Sequence, residues 1–171
     1  FLKDIDGGCW RTYRFIERTR SIDVCSNISQ AREAASILGR FQKALFDFDA
    51  EKLVVVIPNF QSSPNRYLQL ETAIKADSQN RASLAKKEID FALQRFESAK
   101  VIENNIQSGK IVLRATHGDM KLNNVLFNSE SDQAVSIVDL DTCMLGYSLY
   151  DFGDLARNAC VQAEEDEQDF S

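Results

Sequence analysis

The last third of the chain alternates short apolar segments with polar loops, and this pattern constrains the fold more than any other feature. The apolar segment Ile111–Thr116 leads into a polar loop, His117–Asn124. Val125–Phe127 and Ala134–Val138 are then separated by a turn rich in Ser, Glu and Asp, which predicts an antiparallel hairpin. Asp139 follows the hairpin directly. The hairpin should therefore return Asp139 to the neighbourhood of the polar loop.

The polar loop and the residues after the hairpin supply the groups that phosphoryl transfer requires. A carboxylate must orient the attacking hydroxyl and accept its proton, and oxygen ligands must hold the Mg²⁺ that bridges the phosphates. Asp119 suits the first role, and Asn124 and Asp139 suit the second. Lys121 would either place a positive charge beside the transferred phosphoryl group or simply face solvent. Asp141 either holds a second metal ion or is a simple turn residue.

Each of these residues has an ordinary structural explanation when it is taken alone. An Asp at a strand end often forms a turn. The single histidine, His117, is expected to be a hydrogen-bonding residue of the loop rather than a base. The interpretation depends on order and spacing: HGD at residues 117–119, Asn five residues after Asp119, and a hairpin that ends in Asp139. This combination favours an ATP-dependent small-molecule kinase over a helical domain with solvated acidic turns.

The segment HGDMKLNNVLF, residues 117–127, resembles the catalytic loop of the aminoglycoside phosphotransferase/choline kinase superfamily, whose fold is related to that of protein kinases. The family pattern is HGDxxxxN followed by a strand that ends in Asp. Farther along, VDLDT at 138–142 and LYDFGDLAR at 149–157 look most like the N-acetylhexosamine 1-kinase branch. The resemblance is specific over residues 111–160 and weaker over residues 10–110.

The resemblance implies ATP and Mg²⁺ as cofactors, Asp119 as the catalytic base, and Asn124 and Asp139 as magnesium ligands. Asp151 matches an aspartate that buttresses the catalytic loop. The implied partner is a small molecule, a sugar accepting phosphate on a hydroxyl. Aminoglycoside, choline and homoserine are the alternatives within the same chemistry. A catalytically silent kinase-like scaffold is the alternative from another class, and the intact Asp119, Asn124 and Asp139 set argues against it.

The resemblance also predicts the fold class and the organisation of the chain. We expect an α+β fold, a protein-kinase-like C-terminal lobe that is mainly helical with short β-hairpins at the catalytic loop. Residues 1–19 would be the last strand of the N-terminal lobe and the hinge, where the backbone near Glu17, Arg18 and Thr19 meets adenine. Residues 20–171 would be a partial C-terminal catalytic lobe. Most of the N-terminal lobe is expected to be absent, and this fragment alone is expected to be inactive.

Hydrophobic periodicity predicts the remaining elements. Residues 10–17 alternate bulky and polar side chains after an Asp-Gly-Gly turn, which predicts a strand. Asn27 and Gln30 resemble a capping box before a helix that extends to Phe48. Leu53–Ile57 is a buried strand or an apolar loop. Three further helices are predicted, at residues 66–76, at 84–106 and from about 150 to 164. The apolar stripes of the long helices are expected in the core.

Composition excludes several classes of protein. The net charge of −6 and the pI near 4.9 argue against a nucleic-acid partner, which usually requires a basic face. Residues 164–169 hold much of the acidic excess and are expected to form a solvated surface. No apolar run is long enough for a membrane span. Four widely spaced cysteines without a CxxC pair indicate reduced thiols in a cytoplasmic protein. The sequence does not set an oligomeric state.

Overall fold

A computed structural model describes residues 2–161 of the chain. Within these residues it has seven short strands and six α-helices. The strands are β1 (Leu2–Lys3), β2 (Cys9–Trp10), β3 (Thr19–Arg20), β4 (Arg114–Thr116), β5 (Val125–Asn128), β6 (Ala134–Ile137) and β7 (Met144–Gly146). The helices are α1 (Ile28–Ala44), α2 (Ser63–Ala76), α3 (Lys86–Leu93), α4 (Phe96–Ala99), α5 (Val101–Gln107) and α6 (Ser148–Cys160). The predicted α+β mixture of helices and small antiparallel sheets is confirmed.

The N-terminal hairpin pairs β1 with β2 in antiparallel register. Its turn is held by Asp4, whose carboxylate accepts the backbone N–H of Gly8 at 2.7 Å and the indole N–H of Trp10 at 2.6 Å. The hairpin signal is therefore confirmed, but the predicted strand over residues 10–17 is wrong beyond Trp10. No described strand pairs with residues 11–17, and alternation of side chains without a partner strand does not make a sheet.

Helix α1 begins where the capping pattern predicted. The Asn27 side chain accepts the backbone N–H of Gln30 at 3.0 Å. The Gln30 side chain reaches back to the backbone N–H of Ser26 at 2.9 Å, so the reciprocal bond is shifted by one residue from the usual capping box. The helix ends at Ala44 and not at Phe48. The N–H of Leu45 still bonds to the carbonyl of Phe41, but those of Phe46 and Phe48 bond to carbonyls only three residues back, as in a turn.

The hydrophobic core lies where α1 packs against the β5–β6 hairpin and α6. Its buried members are Ala34, Ile37, Leu38, Met120, Leu122, Val125, Phe127, Ala134 and Leu155. The predicted stripe on α1 is wrong at Ile28, which is 80% exposed, at Ala35, which is also exposed, and at Phe48, which is exposed beyond the end of the helix. The N-cap turns Gln30 inward at the start of the helix, and Gln30 is buried there instead of Ile28.

Two small sheets flank the polar loop. Strands β3, β5 and β6 form one antiparallel sheet, and β4 pairs with β7 in the other. Because β4 ends at Thr116 and β5 begins at Val125, the loop connects the two sheets. The predicted β5–β6 hairpin is confirmed. Strands β3 and β7 were not predicted, because each has two or three residues and is defined by its partner rather than by its own alternation.

The predicted long helix at residues 84–106 is wrong as a single element. At two points a backbone N–H bonds to the carbonyl three residues back instead of four. These bonds, from Arg95 to Ala92 and from Lys100 to Glu97, divide the segment into α3, α4 and α5.

The apolar stripe of this segment was expected in the core, yet these three helices have no fully buried residue. Stripe residues such as Ile89, Phe96 and Ile102 are partly buried, and Leu84, before α3, is 81% exposed. Helix α2 covers part of this face, since the ring of Tyr67 packs against that of Phe96 with 4.8 Å between centroids.

Of the two alternatives for Leu53–Ile57, the structure has the apolar loop, with Val54 77% exposed. Helix α2 begins at Ser63, earlier than predicted, because Ser62 caps it and Pro64 suits the first turn. Helix α6 begins near the predicted start. Its predicted end and the acidic run at 164–169 lie outside the described residues. The four cysteines carry free thiols. None of the described helices has the length and apolar character needed to cross a membrane.

Candidate active site

The polar loop between β4 and β5 begins with a turn that only glycine accommodates well. Gly118 has φ of +86°, in the left-handed region that favours glycine. A Cβ atom at this position would also lie 2.6 Å from the carbonyl oxygen of Thr142. The Thr142 hydroxyl donates to the carbonyl oxygen of His117 at 2.8 Å, which brings the two segments together. The glycine of the HGD motif therefore permits the close approach of the loop to the segment after β6.

Asp151, at the start of α6, supports the loop from the other side. Its fully buried carboxylate accepts the backbone N–H of His117 at 2.8 Å and of Gly118 at 2.9 Å. Burial raises the pKa of Asp151, and these two N–H donors partly offset that rise. This is the buttressing contact that the family resemblance implied.

His117 is fully buried and uses both ring nitrogens in hydrogen bonds. Its Nε2 lies 2.9 Å from the carbonyl oxygen of Val138, and its Nδ1 lies 3.3 Å from the backbone nitrogen of Asp119. A carbonyl oxygen only accepts, so these partners assign the proton to Nε2 and leave Nδ1 as the acceptor. His117 is thus a structural hydrogen-bonding residue, as the sequence predicted, and it ties the loop to the end of the hairpin.

Asp119, Lys121 and Asn124 lie together. The side-chain amide nitrogen of Asn124 is 2.8 Å from the carbonyl oxygen of Asp119 and 3.4 Å from its Oδ2. Lys121 Nζ lies 3.7 Å from the same Oδ2. Asn124 is buried, whereas the Asp119 side chain is 39% exposed. The amide nitrogen of Asn124 faces Asp119, so the amide oxygen is the atom that a metal ion would contact.

Asp139 follows the hairpin and takes a left-handed backbone conformation, with φ of +62°. The residue before it, Val138, donates its backbone N–H to the carbonyl oxygen of Asn124 at 2.9 Å. The predicted return of the hairpin to the polar loop is therefore confirmed by a direct hydrogen bond. Asp139 and Asp141 are both exposed, and Asp141 forms an ion pair with Arg11.

Asp139 and Asp141 line a large cleft of about 1580 Å³. The cleft is bounded by residues 9–21, by the β5–β6 hairpin and by the apolar loop at 53–57. Leu126 and Ile137 form part of an apolar wall. Of the residues predicted to meet adenine, Thr19 lines this cleft, whereas Glu17 and Arg18 do not. Asp119, Lys121 and Asn124 are likewise not among its lining residues, although the Val138–Asn124 bond connects the two regions.

The profile of the phosphotransferase enzyme family (APH) matches residues 2–169, which is almost the whole chain. The chain belongs to this family. Membership confirms the superfamily that the HGD loop predicted, and it establishes a kinase-type phosphotransferase. The family generally uses ATP and Mg²⁺.

In this phosphotransferase, the residues offered for Mg²⁺ are two carboxylates and one amide. No three His, Cys, Asp or Glu side chains within residues 2–161 form a metal-binding group. Magnesium, however, commonly takes one or two carboxylates and completes its shell with phosphate and water. The oriented amide of Asn124 and the exposed Asp139 therefore fit the chemistry of this ion. Asp141 would have to leave Arg11 in order to join them.

Two further residues of the phosphotransferase lie beside the loop and were not predicted. Gln61 Nε2 donates to the carbonyl oxygen of Gly118 at 3.2 Å and to Asp154 Oδ2 at 3.4 Å. Burial raises the pKa of Asp154; the positive charge of Arg157 opposes this rise, and the nearby Asp151 and Asp119 carboxylates add to it. The second aspartate of the YDFGD run was the one sequence signal for Asp154. Gln61 lies in a loop, and no sequence signal had marked it as a residue of the site.

Proposed function

We propose that this protein transfers the γ-phosphoryl group of ATP to a hydroxyl group of a small molecule, and that this acceptor is a sugar. The proposal rests on two hydrogen bonds. One joins Asn124 to Asp119, and the other joins Asn124 to Val138, the residue before Asp139. Together they join a partly exposed carboxylate to the two residues suited to magnesium. Phosphoryl transfer depends mainly on such positioning and on charge neutralisation.

Asp119 would act as the catalytic base. Its side chain is partly exposed, so an acceptor hydroxyl has access to it. The amide of Asn124 contacts one of its oxygens and limits its rotation. Lys121, at 3.7 Å from the same oxygen, would place its positive charge beside the transferred group.

Asn124 and Asp139 would hold magnesium, with Asp141 as a candidate ligand of a second metal ion. A bound Mg²⁺ supplies neutralisation of the phosphate charge. The nucleotide would occupy the cleft of about 1580 Å³, with its base against Leu126 and Ile137. In this arrangement the backbone at residues 17–19 remains our candidate hinge, and residues 20–171 our candidate catalytic lobe.

The sugar acceptor, of the N-acetylhexosamine 1-kinase kind, is supported by the VDLDT and LYDFGDLAR segments. Aminoglycoside, choline and homoserine are the competing acceptors of the same chemistry. A silent scaffold is disfavoured, because a scaffold needs no oriented Asp, Asn and Asp set.

An assay of ADP release by the full-length protein with Mg²⁺ decides among these acceptors. N-acetylglucosamine and N-acetylgalactosamine are compared with kanamycin, choline and homoserine. We expect acceptor-dependent ADP release with an N-acetylhexosamine. Release with choline or kanamycin alone would reject the sugar assignment, and no release with any hydroxyl acceptor would support the scaffold.

A further inference from the structure

The HGD turn at residues 117–119 has a hydrogen-bond partner for each of its backbone N–H and C=O groups. All but one of these groups bond to residues described above, on the loop itself, on α6 or after β6. The last group is the carbonyl oxygen of Gly118, which accepts from Gln61 Nε2 at 3.2 Å. Backbone groups that are held in this way cannot easily change direction. Gln61 therefore belongs to the set of side chains that fixes the turn.

The bond from Gln61 acts on the peptide unit that leads into the candidate base. The carbonyl of Gly118 and the N–H of Asp119 are parts of the same planar peptide unit. Because glycine accepts many backbone conformations, Gly118 by itself does little to prevent this unit from rotating. Rotation would swing the Asp119 side chain to a new direction. Gln61 holds one end of the unit, and the His117 ring holds the other end at 3.3 Å.

The orientation of the Gln61 side chain is itself determined by its neighbours. Nε2 lies 3.2 Å from the carbonyl oxygen of Gly118 and 3.4 Å from Asp154 Oδ2. A carbonyl and a carboxylate oxygen only accept, so both hydrogens of the amide are directed to them and the amide oxygen must face away. Asp154 therefore keeps the Gln61 amide in the orientation that Gly118 requires.

The backbone that carries Gln61 is also held firmly. The N–H of Ser62 bonds to the carbonyl of Asn59 at 3.2 Å, which closes a turn around Gln61. Ser62 then caps helix α2, and Arg66 on that helix donates to the carbonyl oxygen of Phe60 at 2.7 Å. The two residues beside Gln61 are thus both attached to the first turn of α2. A side chain on such a rigid segment can restrain the loop that it contacts.

Helix α6 holds the turn through two aspartates. Asp151 accepts two N–H groups of the turn directly, and Asp154 acts through Gln61. Three residues separate the two aspartates, so they lie on neighbouring positions of one helix face. Neither Gln61 nor Asp154 lines the cleft assigned to the nucleotide. Their contacts therefore concern the turn and Asp119 rather than the nucleotide.

We propose that Gln61, oriented by Asp154, is a positioning residue of the phosphotransfer reaction: its bond to the Gly118 carbonyl fixes the direction in which the turn presents Asp119. This inference rests on the proposed function. Gln61 acts through Asp119 and does not touch the reacting atoms. Its effect should be large for a single hydrogen bond, because a displacement of about 1 Å at a reacting group can lower the rate about 10²-fold.

Steady-state kinetics of the full-length protein with ATP and N-acetylglucosamine test this role. Gln61→Met keeps the length of the side chain and removes its N–H donors, and we expect kcat to fall about 10- to 10²-fold. The KM for ATP should stay at the wild-type value, because Gln61 lies outside the nucleotide cleft. Asp154→Ala leaves the bond to Gly118 in place and should lower kcat less. Gln94→Met is the matched control, since Gln94 is exposed after α3 and its side chain forms no hydrogen bond within residues 2–161.

A double-mutant cycle separates positioning from a general structural role. If Gln61 acts through Asp119, adding Gln61→Met to Asp119→Asn should cause little further loss of kcat, because residues that act as a unit are not additive. Losses that multiply in the double variant would overturn the inference. The cycle gives this answer even if Gln61→Met lowers the melting temperature, provided that the variants are folded at the assay temperature.

Hydrogen exchange measured by mass spectrometry distinguishes failure of the inference from failure of the proposed function. Peptides that cover residues 114–124 should exchange faster in Gln61→Met than in wild type or Gln94→Met, because the restraint on the turn is lost. If the wild type releases no ADP, the proposed function fails, and exchange alone decides whether Gln61 restrains the turn. Equal exchange, a kcat within about twofold of wild type, or a raised KM for ATP would overturn the inference.

Discussion

The carboxylate of Asp151 accepts the backbone N–H of His117 at 2.8 Å, across 34 residues of sequence. Its second oxygen accepts the N–H of the next residue, Gly118. One buried side chain on α6 thereby holds the turn that presents Asp119. The position of the candidate base depends on a helix that follows it in the chain.

Asp151→Asn is expected to destabilise the fold and to lower activity. An amide has one acceptor oxygen, so one backbone N–H loses its partner and faces an NH₂ group instead. Leaving a buried donor unsatisfied costs about 1–3 kcal/mol. Urea unfolding measures the loss of stability, and single-turnover kinetics under folding conditions measure the loss of activity. Wild-type stability in this variant would contradict the buttressing role.

Gly118→Ala tests the turn itself. The methyl group would meet the Thr142 carbonyl oxygen at 2.6 Å, and the backbone would remain at positive φ. Strain of this kind costs about 1–3 kcal/mol. Gly39→Ala is the matched control, because Gly39 lies within α1 with open space around it and should gain about 0.5–1 kcal/mol. Denaturant midpoints that move in the same direction for both variants would argue against the close approach.

Asp132 predicts a pH dependence of stability. Its carboxylate accepts from Gln30 and Arg20 at 2.9 Å and from Asn27 at 3.0 Å, and these bonds lower its pKa. A lowered folded-state pKa stabilises the fold above the ordinary Asp value, and this contribution is lost as pH falls through the folded value. Asp132→Asn should therefore be less stable than wild type at pH 7.

The difference in unfolding free energy between wild type and Asp132→Asn should shrink as the pH falls below the ordinary Asp pKa, about 3.9. Urea unfolding midpoints of both proteins, measured from pH 7 to pH 3, would show this trend. Asp47→Asn is a control, because Asp47 is exposed and its side chain forms no hydrogen bond or ion pair within residues 2–161. A constant difference between wild type and Asp132→Asn across the pH range would contradict the assignment.

The polar loop at residues 117–124 could be predicted from sequence because its contacts depend on near neighbours. Gly118 must be glycine for a local backbone reason, and Asn124 reaches Asp119 across five residues. The hairpin that returns Asp139 is also local. These relationships leave a pattern that can be read directly, and the match to the phosphotransferase family agrees with it.

Features that depend on distant segments were not predictable in the same way. The 84–106 stripe has helical periodicity, but periodicity does not show whether another segment covers it. Strand β7 exists because β4 pairs with it. Gln61 donates to the carbonyl oxygen of Gly118, a contact between distant segments that no spacing rule connects. Tertiary packing sets each of these features.

Steady-state phosphorylation of N-acetylglucosamine by the full-length protein tests the role of the loop most directly. The variants are Asp119→Asn and Asp139→Asn, with Asp47→Asn as the surface control and circular dichroism to verify folding. We expect Asp119→Asn to lower kcat by about 10²- to 10⁴-fold, the contribution typical of a positioned base. We expect Asp139→Asn to raise the Mg²⁺ concentration needed for half-maximal activity, and Asp47→Asn to match wild type. Folded Asp119→Asn protein that keeps kcat within about twofold of wild type would contradict this assignment.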